Sequence, residues 1–144
     1  MGKYALELKH GEEAEETFAE LAELNGYYIE ESTNYSNIVE HIDFYLASKR
    51  GLDDFSVDVK ARKKSRRNNT WYDDQMVWVE FHNVAGKKGW LYGEADKIAF
   101  ERKNDFVIVD GSIEKIGKEK QLDLVTSLHS SFLFLVIKKL NFLQ

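Results

Sequence analysis

Phe55-Ser56-Val57-Asp58-Val59-Lys60-Ala61 alternates polar and apolar side chains with the two-residue period of a β-strand. Phe55, Val57 and Val59 then turn to one side and anchor a core. Asp58 and Lys60 share the other side, where a carboxylate and an ammonium on a rigid strand can hold a metal ion and a water. An edge strand with an ordinary cross-face ion pair would carry the same letters, so the neighbouring segments must decide.

Upstream, residues 38–46 alternate again, with His41, Asp43 and Tyr45 on one side and Ile42 and Phe44 on the other. Residues 48–54, containing Lys49-Arg50-Gly51, read as the turn of a hairpin. That hairpin lays Asp43 beside the Asp58 and Lys60 face. Tyr27-Tyr28-Ile29-Glu30 is a further strand, and residues 32–37 form a polar, turn-like link. Between Gly11 and Asn25, Ala14, Phe18, Leu21 and Ala22 follow a helical period closed by the C-cap signal Asn25-Gly26. This helix is crowded with acid. With Phe18 at the centre of the buried face, Glu15 lies about 60° away and Glu12 about 120°, so Glu15 alone borders the core.

Downstream, six of the eight residues 60–67 are basic in a chain with 20 Lys+Arg, 25 Asp+Glu and a net charge of -5. Such a concentration on an acidic body favours phosphate binding by Arg62, Lys63, Lys64, Arg66 and Arg67 over a merely solvated loop. Residues 76–82 alternate as a strand, with Glu80 and His82 opposite Val77 and Val79. Residues 83–89 turn the chain into Trp90-Leu91-Tyr92-Gly93, a second hairpin. Residues 95–101 and 105–110 are two short strands, 113–129 lean to helix, and 130–144 fit either strand or helix. Trp71, Tyr72 and Trp90 read as exposed aromatics suited to an interface or to stacking on unpaired bases.

With 144 residues, 43% of them hydrophobic and 13% aromatic, residues 1–144 are expected to form one domain with a sizeable core. There is no cysteine, which excludes disulfides, thiolate metal sites and cysteine nucleophiles and suits a reducing cytoplasm. Any metal must use oxygen or imidazole, and His10, His82 and His129 lack zinc-like spacing. The first ten residues lack a signal-peptide pattern. No run approaches ~18 apolar residues, so no membrane partner is expected.

The order helix with Glu15, strand with Asp43, strand with Asp58 and Lys60, then basic loop and further strands resembles the PD-(D/E)XK nuclease superfamily. Gly11-Glu12-Glu13-Ala14-Glu15, Ile42-Asp43-Phe44 and Asp58-Val59-Lys60 carry the resemblance over roughly the first half of the chain. The helix start looks most like archaeal Holliday junction resolvases. Trp78-Val79-Glu80-Phe81 with Gly89-Trp90-Leu91-Tyr92-Gly93 is similar to small nucleases of this superfamily encoded by bacteriophages. No proline precedes Asp43, a departure that many members share.

The resemblance implies an α/β, restriction-endonuclease-like fold, a central mixed β-sheet flanked by helices. It implies Asp43 and Asp58 as metal ligands with the Val59 carbonyl, Glu15 completing the acidic site, and Lys60 positioning or activating the nucleophilic water. Magnesium is the implied ion, with manganese as a substitute. Two carboxylates suit magnesium, which keeps several waters and shares its shell with phosphate. The expected activity is endonucleolytic hydrolysis of DNA, branched DNA included, by a cytoplasmic homodimer, in a phage-infected host if the phage resemblance holds. Glu80 and His41 are reserve candidates.

A rival expectation comes from Gly86-Lys87-Lys88-Gly89, since a GxxG loop with two lysines is what KH domains use to clamp nucleic-acid backbone. That would make the chain a non-catalytic nucleic-acid-binding module. KH loops join helices, however, whereas alternating strands flank this tetrapeptide, so Lys87 and Lys88 are expected at a hairpin tip.

Overall fold

With no proline to interrupt it, the first helix runs long: α1 spans Lys3–Leu24. The computed structural model describes residues 2–64, 68–71, 76–80, 86, 89–111 and 132–136. The helix begins eight residues earlier than the expected start at Gly11. Gly11 costs roughly 1 kcal/mol against alanine in a helix interior, too little to stop a helix whose flanking residues are good helix formers. Its end falls where expected. The Asn25 N–H donates to the Leu21 carbonyl at 3.0 Å and its side-chain Nδ2 to the same oxygen at 2.7 Å. Gly26 then takes φ +89°, the left-handed conformation that favours glycine.

The strands are β1 (Tyr27–Glu31), β2 (Phe44–Ser48), β3 (Phe55–Lys60), β4 (Met76–Glu80), β5 (Lys97–Glu101), β6 (Phe106–Asp110) and β7 (Phe132–Val136). Five of them form a mixed sheet in the order β1-β2-β3-β5-β6. The β1/β2, β2/β3 and β5/β6 pairs are antiparallel, and β3 runs parallel to β5. The expected hairpin of β2 and β3 is therefore present, with Phe44 opposite Val57. Among the described residues no helix is long and apolar enough to cross a membrane.

Ala14, Phe18 and Ala22 stand four residues apart on α1, are at most 2% exposed, and pack on one face of the sheet. That face is built from Phe44, Leu46, Val57, Val59, Ala99, Phe106 and Ile108. The Phe18 ring lies 5.3 Å from Phe106, edge-on, and 6.3 Å from Phe44. On the other face Ile98, Phe100, Val107 and Val109 are also buried, with Trp90 edge-on to Phe100 at 5.6 Å. β5 and β6 are thus covered on both faces, which is why they read as continuous apolar runs.

Three expectations are corrected. Residues 38–43, expected within the strand over 38–46, are not strand: Ser36–Glu40 form a π-helical turn, His41 closes it at φ 54°, and β2 starts only at Phe44. Residues 90–93 are not the second arm of a hairpin: Trp90–Tyr92 is a 3-10 turn, and β4 pairs antiparallel with β7. Trp90 is buried, at 8% exposure, because it fills the space over Phe100 and Lys60. Tyr72 and the helix expected over 113–129 lie outside the described residues.

Candidate active site

Asp58 stands in the middle of the sheet, with β2 on one side of its strand and β5 on the other. Alternation turns it away from the α1 core, yet it is only 2% exposed. Lys60, two residues on and on the same face, brings Nζ to 2.6 Å from Asp58 Oδ1. The Lys60 ammonium also sits 5.4 Å from the centre of the Trp90 ring, a cation–π contact that limits its freedom. Asp58 Oδ2 is buried and, among the described residues, accepts no hydrogen bond.

Asp43 lies one residue before β2, and four hydrogen bonds fix it there. Its N–H donates to the Val57 carbonyl at 2.9 Å, and its carbonyl accepts from the Ser32 N–H at 2.9 Å. In the carboxylate, Oδ2 accepts from the Val59 N–H at 2.6 Å and Oδ1 from Asn37 Nδ2 at 2.7 Å. The carboxyl is therefore stitched across the end of β3. Asn37, carried by the π-helical turn, escaped sequence reasoning: it sits in a polar, aperiodic stretch, and only the turn brings its amide to Asp43.

Glu15 looks in from α1 and is half-buried, whereas Glu12, Glu13, Glu16, Glu20 and Glu23 are exposed. Burial is the main cause that lifts its carboxyl from 4.5 to about 7; the Asp43 charge adds to the rise and Lys60 opposes it. Burial likewise lifts Asp58 from 3.8 to about 8, with Lys60 opposing and Asp43 adding. When both are ionised, Asp43 and Asp58 repel and Oδ2 of Asp58 has no donor. A proton held between them resolves both problems, and so would a cation.

The donor set fits magnesium. It consists of hard carboxylate oxygens, one of them buried without a partner, beside a cluster whose ionised form needs positive charge. Among the described residues no three imidazole or carboxylate groups assemble a cage of their own. Magnesium commonly uses only one or two carboxylates, the remaining positions going to water and phosphate.

Of the other candidates, Lys63 and Lys64 are exposed and Arg62 is half-buried. Arg66, Arg67, Lys87 and Lys88 lie outside the described residues. His41 is turned out of strand register by its left-handed backbone, and its Cβ faces Gly93 so closely that a Cβ added there would lie 2.8 Å away. Glu80 ends β4, a strand outside the five-stranded sheet.

A solved structure of a bacterial homing endonuclease, I-Ssp6803I, superposes with a TM-score of 0.51 at 14% identity, over 95% of this chain and 80% of that one. The fold is nuclease-like. No family model and no curated protein matches the sequence. At this identity the likeness concerns the arrangement of helix and sheet.

Proposed function

We propose that this chain is a metal-dependent DNA endonuclease that hydrolyses phosphodiester bonds, with Asp43, Asp58, Lys60 and Glu15 as its working residues. The observation that carries the reading is Asp58: a carboxyl in the centre of a nuclease-like sheet, 2% exposed, with one oxygen on Lys60 and the other unsatisfied. A buried unpaired carboxylate oxygen costs folding free energy of about 1–3 kcal/mol or more, which a purely structural site would avoid. The likeness to a homing endonuclease supports DNA as the substrate.

Asp43, Asp58 and the Val59 carbonyl would hold magnesium. Bound there, it supplies positive charge to the phosphate and eases ionisation of a water. Lys60, held by Asp58 and Trp90, offers its ammonium to charge developing on a phosphate oxygen. Glu15, with a carboxyl near neutrality, can take up or release a proton at its Oε atoms at physiological pH. Asn37 and the Val59 N–H keep the Asp43 carboxylate in one orientation.

Preference for branched DNA and action as a homodimer are the finer part of the proposal. In this proposal selectivity would come from DNA shape read through phosphates. Incubation with linear, nicked, flapped and four-way DNA in magnesium or manganese tests the activity, and light scattering tests the mass. Cleavage that chelation abolishes is expected. Binding to all four substrates with cleavage of none would favour the non-catalytic binding module, and a monomer equally active on linear and four-way DNA would remove junction selectivity.

A further inference from the structure

The basic side chains that Lys60 begins continue past the end of β3. Arg62 and Lys64 follow at two-residue steps, roughly 7 Å each on extended chain. Their backbone is fixed from outside: the Arg62 N–H donates to Glu101 Oε2 at 2.9 Å, and His10 Nε2 donates to the Arg62 carbonyl at 2.9 Å. Lys64 is then joined to Trp71 by an isolated antiparallel bridge. The Trp71 ring gathers these groups. Lys64 Nζ lies 4.4 Å and Arg62 Cζ 4.8 Å from its centre, and the His10 ring approaches to 5.5 Å at 47°. Trp71 itself is 42% exposed.

An indole left partly in water with two cations over it has an electrostatic use. The quadrupole of the ring holds side chains that would otherwise sample many rotamers. Cations ordered beforehand lose less conformational entropy when an anion arrives.

We propose that Trp71 organises Arg62 and Lys64 into a docking site for the phosphodiester backbone of DNA on the chain path leading away from Lys60. The identity of the polyanion rests on the nuclease reading above. Trp71 is a positioning residue here: its ring holds the two cations, and the cations carry the charge that a phosphate meets. An acidic protein would offer charge as well, but charges in line with the residue that serves phosphoryl chemistry suit the strand that carries the phosphate.

The test is the salt dependence of binding to a labelled duplex in divalent-free buffer. Lys64→Ala, an exposed substitution that leaves folding intact, should flatten the slope of log affinity against log salt by about 0.9. Trp71→Leu should weaken binding about two- to fivefold for each cation released, and Trp71→Tyr should restore most of the loss. An unchanged slope in Lys64→Ala overturns the proposal. So does equal weakening by leucine and tyrosine, and so does a Trp71→Leu loss confined to single strands, which would make the ring a stacking platform. Cleavage of the same duplex by the unaltered chain with magnesium reports separately on the enzyme. Binding effects without cleavage would leave the docking site standing and remove the nuclease reading, and cleavage without a slope change would do the reverse.

Discussion

Ser56 and Asp58 sit two residues apart on the same face of β3, and both are buried polar residues, at 6% and 2% exposure. Ser56 is fully accommodated. Its N–H and Oγ donate to Asp96 Oδ2 at 2.8 and 2.9 Å, and its Oγ accepts from the Asp96 N–H at 2.9 Å. This closed set pins the start of β5 against β3. Asp58 is held by Lys60, and among the described residues its Oδ2 has no hydrogen-bond donor. Satisfied polar burial at Ser56 serves the fold, and under the proposed function the unsatisfied polar burial at Asp58 would serve chemistry.

The largest expected effect separates the two ends at once. Asp58→Asn should lower magnesium-dependent cleavage on the order of a thousandfold or more, the scale of lost metal and electrostatic stabilisation. The folded protein should survive, and without metal it should be the more stable form at pH 8. A destabilised Asp58→Asn protein, or one that still cleaves at full rate, would erase the distinction.

The pH dependence sharpens the same point. Folded Asp58 and Glu15 hold their protons to about pH 8 and 7 instead of 3.8 and 4.5. Across that window the folded chain binds protons that the unfolded chain releases, so stability falls as pH rises. The contribution of these groups is complete below the unfolded values and is lost as pH passes the folded ones. Denaturant midpoints measured without metal from pH 5 to 8 should decline, and less steeply in Asp58→Asn. Magnesium should stabilise the protein more at pH 8 than at pH 5, because it competes with those protons. Equal slopes in the two proteins would show that Asp58 is ionised throughout.

Much of this comparison was legible in residues 55–61, because a strand with one face in an apolar core and polar groups on the other must alternate, and the alternation put Asp58 and Lys60 together. The angle of Glu15 on α1 was legible for the same reason. Asp43 reaches its place by another route than its letters suggest. The π-helical turn and left-handed His41 break the strand before it, with no glycine or proline to signal the break, so Asp43 stands at the mouth of β2. The pairing of β4 with β7 joins segments far apart in sequence, and local turn chemistry favoured the nearer partner. Burial of Trp90 and capture of Asp43 by Asn37 depend on tertiary neighbours that no periodicity records.

Asn37 gives the intermediate effect. Losing an amide that orients a metal-binding carboxylate typically costs ten- to a hundredfold in metal affinity or activity. Asn37→Ala should therefore raise the magnesium concentration needed for half-maximal cleavage by about tenfold or more, with little change in stability, since the side chain is exposed. Asn37→Asp should be worse, because it sets a like charge against Asp43. An unaltered magnesium requirement in both variants would show that the Val59 N–H alone orients the carboxylate.

The smallest effect belongs to Ser56, and it tests whether the satisfied end of β3 is structural. Ser56→Ala removes the hydroxyl but keeps the backbone N–H that donates to Asp96. Asp96 is exposed, so water can replace the lost partner, and the expected destabilisation is only about 1 kcal/mol. Asp96→Ala should cost more, because it strips the buried Ser56 N–H and hydroxyl of their acceptor together. In both variants the cleavage rate per folded molecule should match that of the unaltered chain, since neither group touches Asp43, Asp58 or Lys60. If Ser56→Ala instead lost cleavage while its denaturant midpoint stayed fixed, both ends of the strand would serve the reaction. Asp96 would then be a functional carboxylate at the far end of β3, and hydrogen-bond satisfaction would no longer separate fold from chemistry in this sheet.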